Sequence, residues 1–216
     1  MKKLDHKKPS LHLIYTTSSI VEYLDWVFSK YAEITHIVDD SLIWLIRSWN
    51  KKLAQSYARK IIDKLQWIDS TIIVTCTALG EVIWENFKYN NVIRIEIPSI
   101  EEIKSRKGSV WLVFTNTPVF EEIRHLLIKN WVNNERLIPC YIPWAFDAIL
   151  NKDYNLHDRL IIEWLESNPW WIDNYFLCQV SICSANSRDV SFDNIAVPII
   201  SMTDIILKDF LKGTGI

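Results

Sequence analysis

The chain has 216 residues and a formal net charge of −2, with acids and bases spread along its length, so nothing in the composition points to nucleic acid or an anionic membrane. That length suits one large domain or two of about 100 residues, and either buries a core. Four cysteines, Cys76, Cys140, Cys178 and Cys183, show neither metal-ligand spacing nor a disulfide framework; free thiols in a reducing compartment are expected.

The basic opening, Met1-Lys-Lys-Leu-Asp-His-Lys-Lys8, precedes an apolar stretch that ends at Thr16. It is too short for a signal sequence or a membrane span, so a cytoplasmic protein is expected. The first half then reads as strands near 11–15, 34–38, 71–75 and 92–96, with helices near 19–31, 50–66, 79–87 and 99–106. The second half reads as strands near 110–114, 136–141, 174–178 and 197–200, with helices near 118–130, 155–167 and 203–212. Strands continuous in Val, Ile and Leu that alternate with helices imply parallel sheets covered on both faces.

The second half repeats the first. Leu13-Ile-Tyr-Thr16-Thr17-Ser18-Ser19-Ile-Val-Glu-Tyr-Leu24 matches Leu112-Val-Phe-Thr115-Asn116-Thr117-Pro118-Val-Phe-Glu-Glu-Ile123. Thr71-Ile-Ile-Val-Thr75-Cys76-Thr77-Ala78 matches Asn174-Tyr-Phe-Leu-Cys178-Gln179-Val180-Ser181, and the strand at Val92 matches a segment that opens at Val197. The expected fold is therefore α/β, with two pseudo-symmetric doubly wound parallel-sheet domains and an interdomain cleft. Residues 1–106 form the first, which carries Cys76, and residues 107–216 the second, with Gln179 at the equivalent position. Strand carboxyl ends face the ligand crevice in such sheets. Thr16, Thr17, Ser18, Asp39, Asp40, Cys76 and Thr77 fall there in one half; Thr115, Asn116, Thr117, Gln179 and Ser181 fall there in the other.

Glycine and tryptophan are out of proportion. Glycine occurs 4 times and tryptophan 11 times, whereas ordinary glycine usage is about 7%. Trp67, Trp131, Trp170 and Trp171 stand at helix ends or strand entries, where glycine commonly supplies positive φ. This pattern suggests that many of these tryptophans are glycine in the natural protein, at UGA codons that its host reads as glycine. Trp44, Trp111 and Trp144 near the cleft would then leave it a different shape.

With Thr75-Cys76-Thr-Ala-Leu-Gly80 at a strand end, His36-Ile-Val-Asp39-Asp40-Ser41-Leu42, Ala145-Phe-Asp147-Ala-Ile-Leu150 and Leu156-His157-Asp158, the chain resembles the aspartate/glutamate/hydantoin racemase superfamily. The resemblance covers nearly the whole chain and looks like an uncharacterised branch. It implies cofactor-independent proton transfer next to the carboxylate of a small amino or carboxylic acid. It also implies that Cys76 is the base or nucleophile, and it allows a homodimer. In the two-thiol racemases each domain supplies a cysteine, whereas here the second position is Gln179, which cannot donate a proton in that way. The glycine-rich amino-terminal motif of dedicated glutamate racemases is replaced by Thr16-Thr17-Ser18-Ser19. A single-cysteine decarboxylase or isomerase and a non-catalytic carboxylate binder are the alternatives.

Residue by residue, Cys76 at a strand-to-helix turn is expected to gain thiolate character from helix amides. Thr16, Thr17, Ser18, Thr77, Thr115, Asn116, Thr117, Gln179 and Ser181 suit carboxylate recognition, though serine and threonine there also serve as ordinary helix caps. Asp39 could orient a substrate amino group or simply form a strand-end turn. His157 is read mainly as helix decoration, and Cys140 as core.

Overall fold

The computed structural model describes residues 8–48, 50–65, 69–84, 90–167, 171–187 and 192–214. Residues 1–7 of the basic opening, Trp67 and Trp170, and the predicted extensions of helices to 66 and 87, lie outside the described residues. In the first half, β1 (Ser10–Tyr15) leads through a 3-10 turn at Ser18–Ile20 into α1 (Val21–Phe28). Next come β2 (Glu33–Val38), α2 (Asp40–Arg47), α3 (Lys51–Leu65), β3 (Thr71–Val74), α4 (Thr77–Trp84), β4 (Val92–Arg94) and α5 (Ile97–Ser105). The second half runs β5 (Val110–Phe114), α6 (Thr117–Lys129), β6 (Leu137–Tyr141), α7 (Ala145–Leu150), α8 (Tyr154–Ser167), β7 (Tyr175–Leu177), α9 (Val180–Cys183), β8 (Ile199–Ser201) and α10 (Met202–Thr214).

Two four-stranded sheets result, ordered β2-β1-β3-β4 and β6-β5-β7-β8, with every pairing parallel. Parallel neighbours need a crossover between them, which the intervening helices supply. β1, β3, β5 and β7 lie inside their sheets, and their apolar runs are buried nearly throughout. β2 is an edge strand, and its Glu33-Ile-Thr-His-Ile-Val38 sequence is correspondingly part exposed.

One hydrophobic core runs through both halves. Leu11, Leu13 and Phe28 belong to it together with Leu112, Phe176 and Phe210, and Phe28 meets Phe210 edge-on at 6.1 Å between ring centroids. α4 packs on α6, α5 on α10 and β8, and α1 on α10. Across the same boundary the Tyr23 hydroxyl hydrogen-bonds Thr203 Oγ1 at 2.7 Å, out of reach of solvent. A smaller cluster around Leu42, Ile62, Ile72 and Leu79 fills the other face of the first sheet.

The ladders correct the sequence alignment of the last strands. Val74 pairs with Arg94, and Leu177, the repeat partner of Val74, pairs with Ser201. Arg94 therefore corresponds to Ser201 and Glu96 to Thr203, two residues further along than the similarity of the Val92 and Val197 segments suggests. Three short helices, α2, α7 and α9, were not anticipated. Asp39-Asp40-Ser41 is the start of α2, with Asp39 Oδ1 accepting from the Ser41 amide at 3.0 Å. His157 is no surface decoration: it is fully buried in α8 and hydrogen-bonded through Nδ1 to Asp158 at 2.7 Å. Among the described residues no helix is long and apolar enough to cross a membrane.

Candidate functional site

The candidate residues Thr16, Cys76 and Thr77 follow the carboxyl ends of β1 and β3 in one half, and Thr115, Asn116, Thr117 and Gln179 those of β5 and β7 in the other. The Thr75 hydroxyl donates to the Ile14 carbonyl at 2.8 Å, which locks the end of β3 to β1 and fixes where Cys76 begins its turn into α4. Cys76 is half-buried there. Its sulfur is hydrogen-bonded by Thr16 and by the amides of Ala78 and Leu79.

Those bonds stabilise a thiolate, as expected for a helix start, but they do not decide the outcome. Burial pushes the Cys76 thiol above its ordinary value, and the Glu122 carboxylate pushes in the same direction. The expected low-pKa thiol is thus corrected to a mainly protonated one.

The second half reproduces this arrangement with an amide in place of the thiol. Gln179 Oε1 accepts from the Thr115 amide at 2.8 Å and from the Thr115 hydroxyl at 3.0 Å. Thr115 corresponds to Thr16, so each half pairs its strand-end threonine with the residue that ends its next central strand. Gln179 is pinned by this pair and brings no acid or base. The other thiols of this half do not take over that position. Cys178 is fully buried and its thiol points at the Phe176 carbonyl; Cys183, also buried, is held by Ser201 and by the amides that open α10. Cys140 is buried in β6, as read from the sequence.

The hydroxyl and amide candidates separate into caps and groups available to a ligand. Thr17 is occupied as the cap of the following turn, accepting from the Ser19 amide at 3.4 Å, and Asp39 is occupied by the start of α2. Asn116 opens α6 without any side-chain capping bond, and Thr117 beside it is exposed. Thr16, Thr77 and Thr115 are buried at the strand ends, Ser18 is exposed, and Ser181 is part-buried on α9.

Three charged groups were missed. Arg94 and Glu96 are 4% and 1% exposed, and Arg94 Nε donates to Glu96 Oε1 at 2.7 Å. They lie against Gly80, whose amide donates to the Cys76 carbonyl at 2.9 Å and where an added Cβ would come within 2.6 Å of Arg94 Nε. Burial raises the Glu96 carboxyl pKa, opposed by the neighbouring guanidinium. The third group is Glu122 of α6, the helix that packs on α4, and its charge acts on the Cys76 thiol. Opposite charges two residues apart in Val92-Ile-Arg-Ile-Glu-Ile were the available signal for the first two. For Glu122 the signal was its match to Tyr23 in the repeat. A separate cavity of about 360 Å³ opens beside the end of β8, where Tyr23, Cys183, Ser201 and Asp204 line it.

No family model matches the sequence, and no curated protein matches it. Solved structures do. The aspartate racemase of Picrophilus torridus superposes with a TM-score of 0.72 at 13% identity, covering 96% of this chain and 94% of that one. An allantoin racemase from Klebsiella pneumoniae gives 0.65 at 13% identity over 97% and 89% of the two chains. A glutamate racemase isoform from Bacillus anthracis gives 0.62 at 15% identity over 97% and 84%. With its two parallel four-stranded sheets and the order in which they are built, the chain has the two-domain α/β fold of the aspartate, glutamate and allantoin racemases.

Proposed function

We propose that this protein is a cofactor-independent, racemase-type isomerase that moves a proton at the carbon next to the carboxylate of a small amino or carboxylic acid. The observation that carries this reading is the placement of Cys76. It is a half-buried thiol at the end of an interior strand, with the Thr16 hydroxyl and two helix amides directed at its sulfur. A thiol in that setting is mainly protonated at rest, yet the same hydrogen bonds stabilise the thiolate once it forms.

In this reading the substrate carboxylate rests on the helix openings, with Ser18 and Thr77 from one half and Asn116, Thr117 and Ser181 from the other, while Thr16 and Thr115, whose hydroxyls are engaged with Cys76 and Gln179, hold those two side chains at the strand ends. The uncapped start of α6 supports this assignment, because its first amides and the Asn116 side chain remain as donors for an anion. Thr17 and Asp39 shape the rim through the turns they cap. The Cys76 thiolate removes the α-proton, and the electron pair left on carbon spreads into the carboxylate. Gln179 orients Thr115 rather than carrying a proton.

The pinned Gln179 also favours a second reading, in which the cleft binds a small carboxylate without turnover. A panel of amino acids and dicarboxylic acids incubated with the protein in heavy water distinguishes them. Deuterium entering at Cα identifies the substrate and supports the enzyme; loss of carbon dioxide marks a single-cysteine decarboxylase. Measurable binding with neither change to any ligand supports the binder.

A further inference from the structure

Left-handed backbone singles out two of the tryptophans. Among the described residues positive φ occurs at Gly108, at 76°, and at three non-glycine positions: Trp131 at 69°, Trp144 at 64° and Lys152 at 61°. A bulky side chain is an outlier in this conformation, because its Cβ is forced close to a backbone carbonyl oxygen.

Both tryptophans stand in turns that glycine ordinarily makes. Beyond the end of α6 the Trp131 amide donates to the Ile128 carbonyl at 3.0 Å and the Val132 amide to the Leu127 carbonyl at 3.0 Å. These two bonds are the Schellman helix ending, in which the left-handed position, here Trp131, is usually glycine. Leu127 and Val132, the apolar pair of the motif, are both buried in the main core, so the helix end is held without help from the side chain of residue 131. Trp144 starts α7 from a left-handed position with no side-chain capping bond, and its carbonyl accepts from the Ala148 amide at 3.0 Å. Glycine is among the residues that such a start favours.

Neither indole offsets its strained backbone by packing, since Trp131 is 92% exposed and Trp144 68%. Trp164 is the contrast. It lies inside α8, packs against the core and meets the Tyr175 ring at 6.4 Å between centroids. Glycine there would weaken the helix and leave the space of the ring unfilled. Lys152 follows α7 in the same kind of ending as Trp131, its amide donating to Ile149 at 3.1 Å and the Asp153 amide to Ala148 at 2.9 Å, so positive φ alone does not mark a glycine. What marks residues 131 and 144 is left-handed backbone together with an exposed tryptophan, in a chain with 4 glycines and 11 tryptophans.

We infer that residues 131 and 144 are glycine in the protein made by its natural host, through UGA codons read there as glycine, and that residue 164 is a true tryptophan encoded by UGG. A code that reads UGA as tryptophan translates the two codons alike and so merges two residues into one. Trp144 follows β6 on the carboxyl edge that the second sheet shares with Asn116 and Thr117, so the natural protein lacks an indole on that edge.

Sequencing the gene, with peptide mass spectrometry of the protein purified from its host, tests this directly. UGA codons with glycine in the peptides are expected at 131 and 144, and UGG with tryptophan at 164. Tryptophan in the peptides or a UGG codon at 131 or 144 overturns the inference, and glycine at 164 overturns the division between left-handed and packed tryptophans. Thermal melts of recombinant protein check the backbone argument separately. Trp131→Gly and Trp144→Gly should each raise the melting temperature while Trp164→Gly lowers it; a fall in either of the first two would overturn the argument from strain.

Discussion

At Cys76, hydrogen bonds that favour the thiolate compete with burial and a nearby carboxylate that oppose it, and the opposing pair wins. The sequence made the helix amides legible, because a strand run breaking into Thr-Cys-Thr-Ala marks a helix start. It did not make legible the burial, which comes from the cluster of Leu42, Ile62, Ile72 and Leu79 that Cys76 packs against, nor the charge of Glu122, which belongs to the second half. The alkylation midpoint of Cys76 in the wild-type protein is therefore expected above 9.0, the ordinary thiol value. A midpoint below it, read from iodoacetamide rates across pH, would contradict the burial of this thiol. Trp144 gives a second prediction at this scale. Replacing a non-glycine residue at left-handed φ with glycine removes about 1 kcal/mol of strain, so Trp144→Gly should raise the melting temperature by about 2–4 °C. A lower melting temperature would show that the exposed indole stabilises the fold.

At the scale of elements, the alternating pattern places all eight strands and the longer helices within a few residues of where they form. Short elements escaped: α9 has four residues, too few for a periodic signal. The slip in β8 has a definite origin. Val197 resembles Val92, but pairing with β7 begins at Ile199, so the strand is assigned by its ladder rather than by resemblance. The correction matters because it brings Arg94 and Glu96 into register with Ser201 and Thr203. Arg94→Ala leaves Glu96 buried without its cation, and breaking a buried pair in this way costs about 3–5 kcal/mol; urea denaturation should show a loss of that order. Gly80→Ala should destabilise as well, because its Cβ needs space held by the Arg94 side chain. Unchanged stability in Arg94→Ala would mean that the pair is not closed to water.

For the whole molecule, the repeat foretold two four-stranded parallel sheets of the same strand order. It did not foretell one continuous core across the halves, because apolar runs do not reveal which partner they will meet. That shared interior has a consequence for pH. Burial raises the pKa of all four thiols, Cys76, Cys140, Cys178 and Cys183, and of the Tyr15, Tyr23 and Tyr175 phenols. Above about pH 9 an unfolded chain releases these protons while the folded one retains them, so stability falls as pH rises. Denaturation midpoints should be lower at pH 10.5 than at pH 8; equal midpoints would contradict the burial of these groups.

Proton transfer by Cys76 at the carbon beside a carboxylate is read out by hydrogen exchange at Cα in heavy water, comparing wild type with Cys76→Ala. A small amino or carboxylic acid is expected to exchange with wild type, and Cys76→Ala to slow the exchange by at least about 100-fold. Exchange that proceeds equally in Cys76→Ala, or no exchange of any such acid by the wild-type protein, would contradict proton transfer by Cys76.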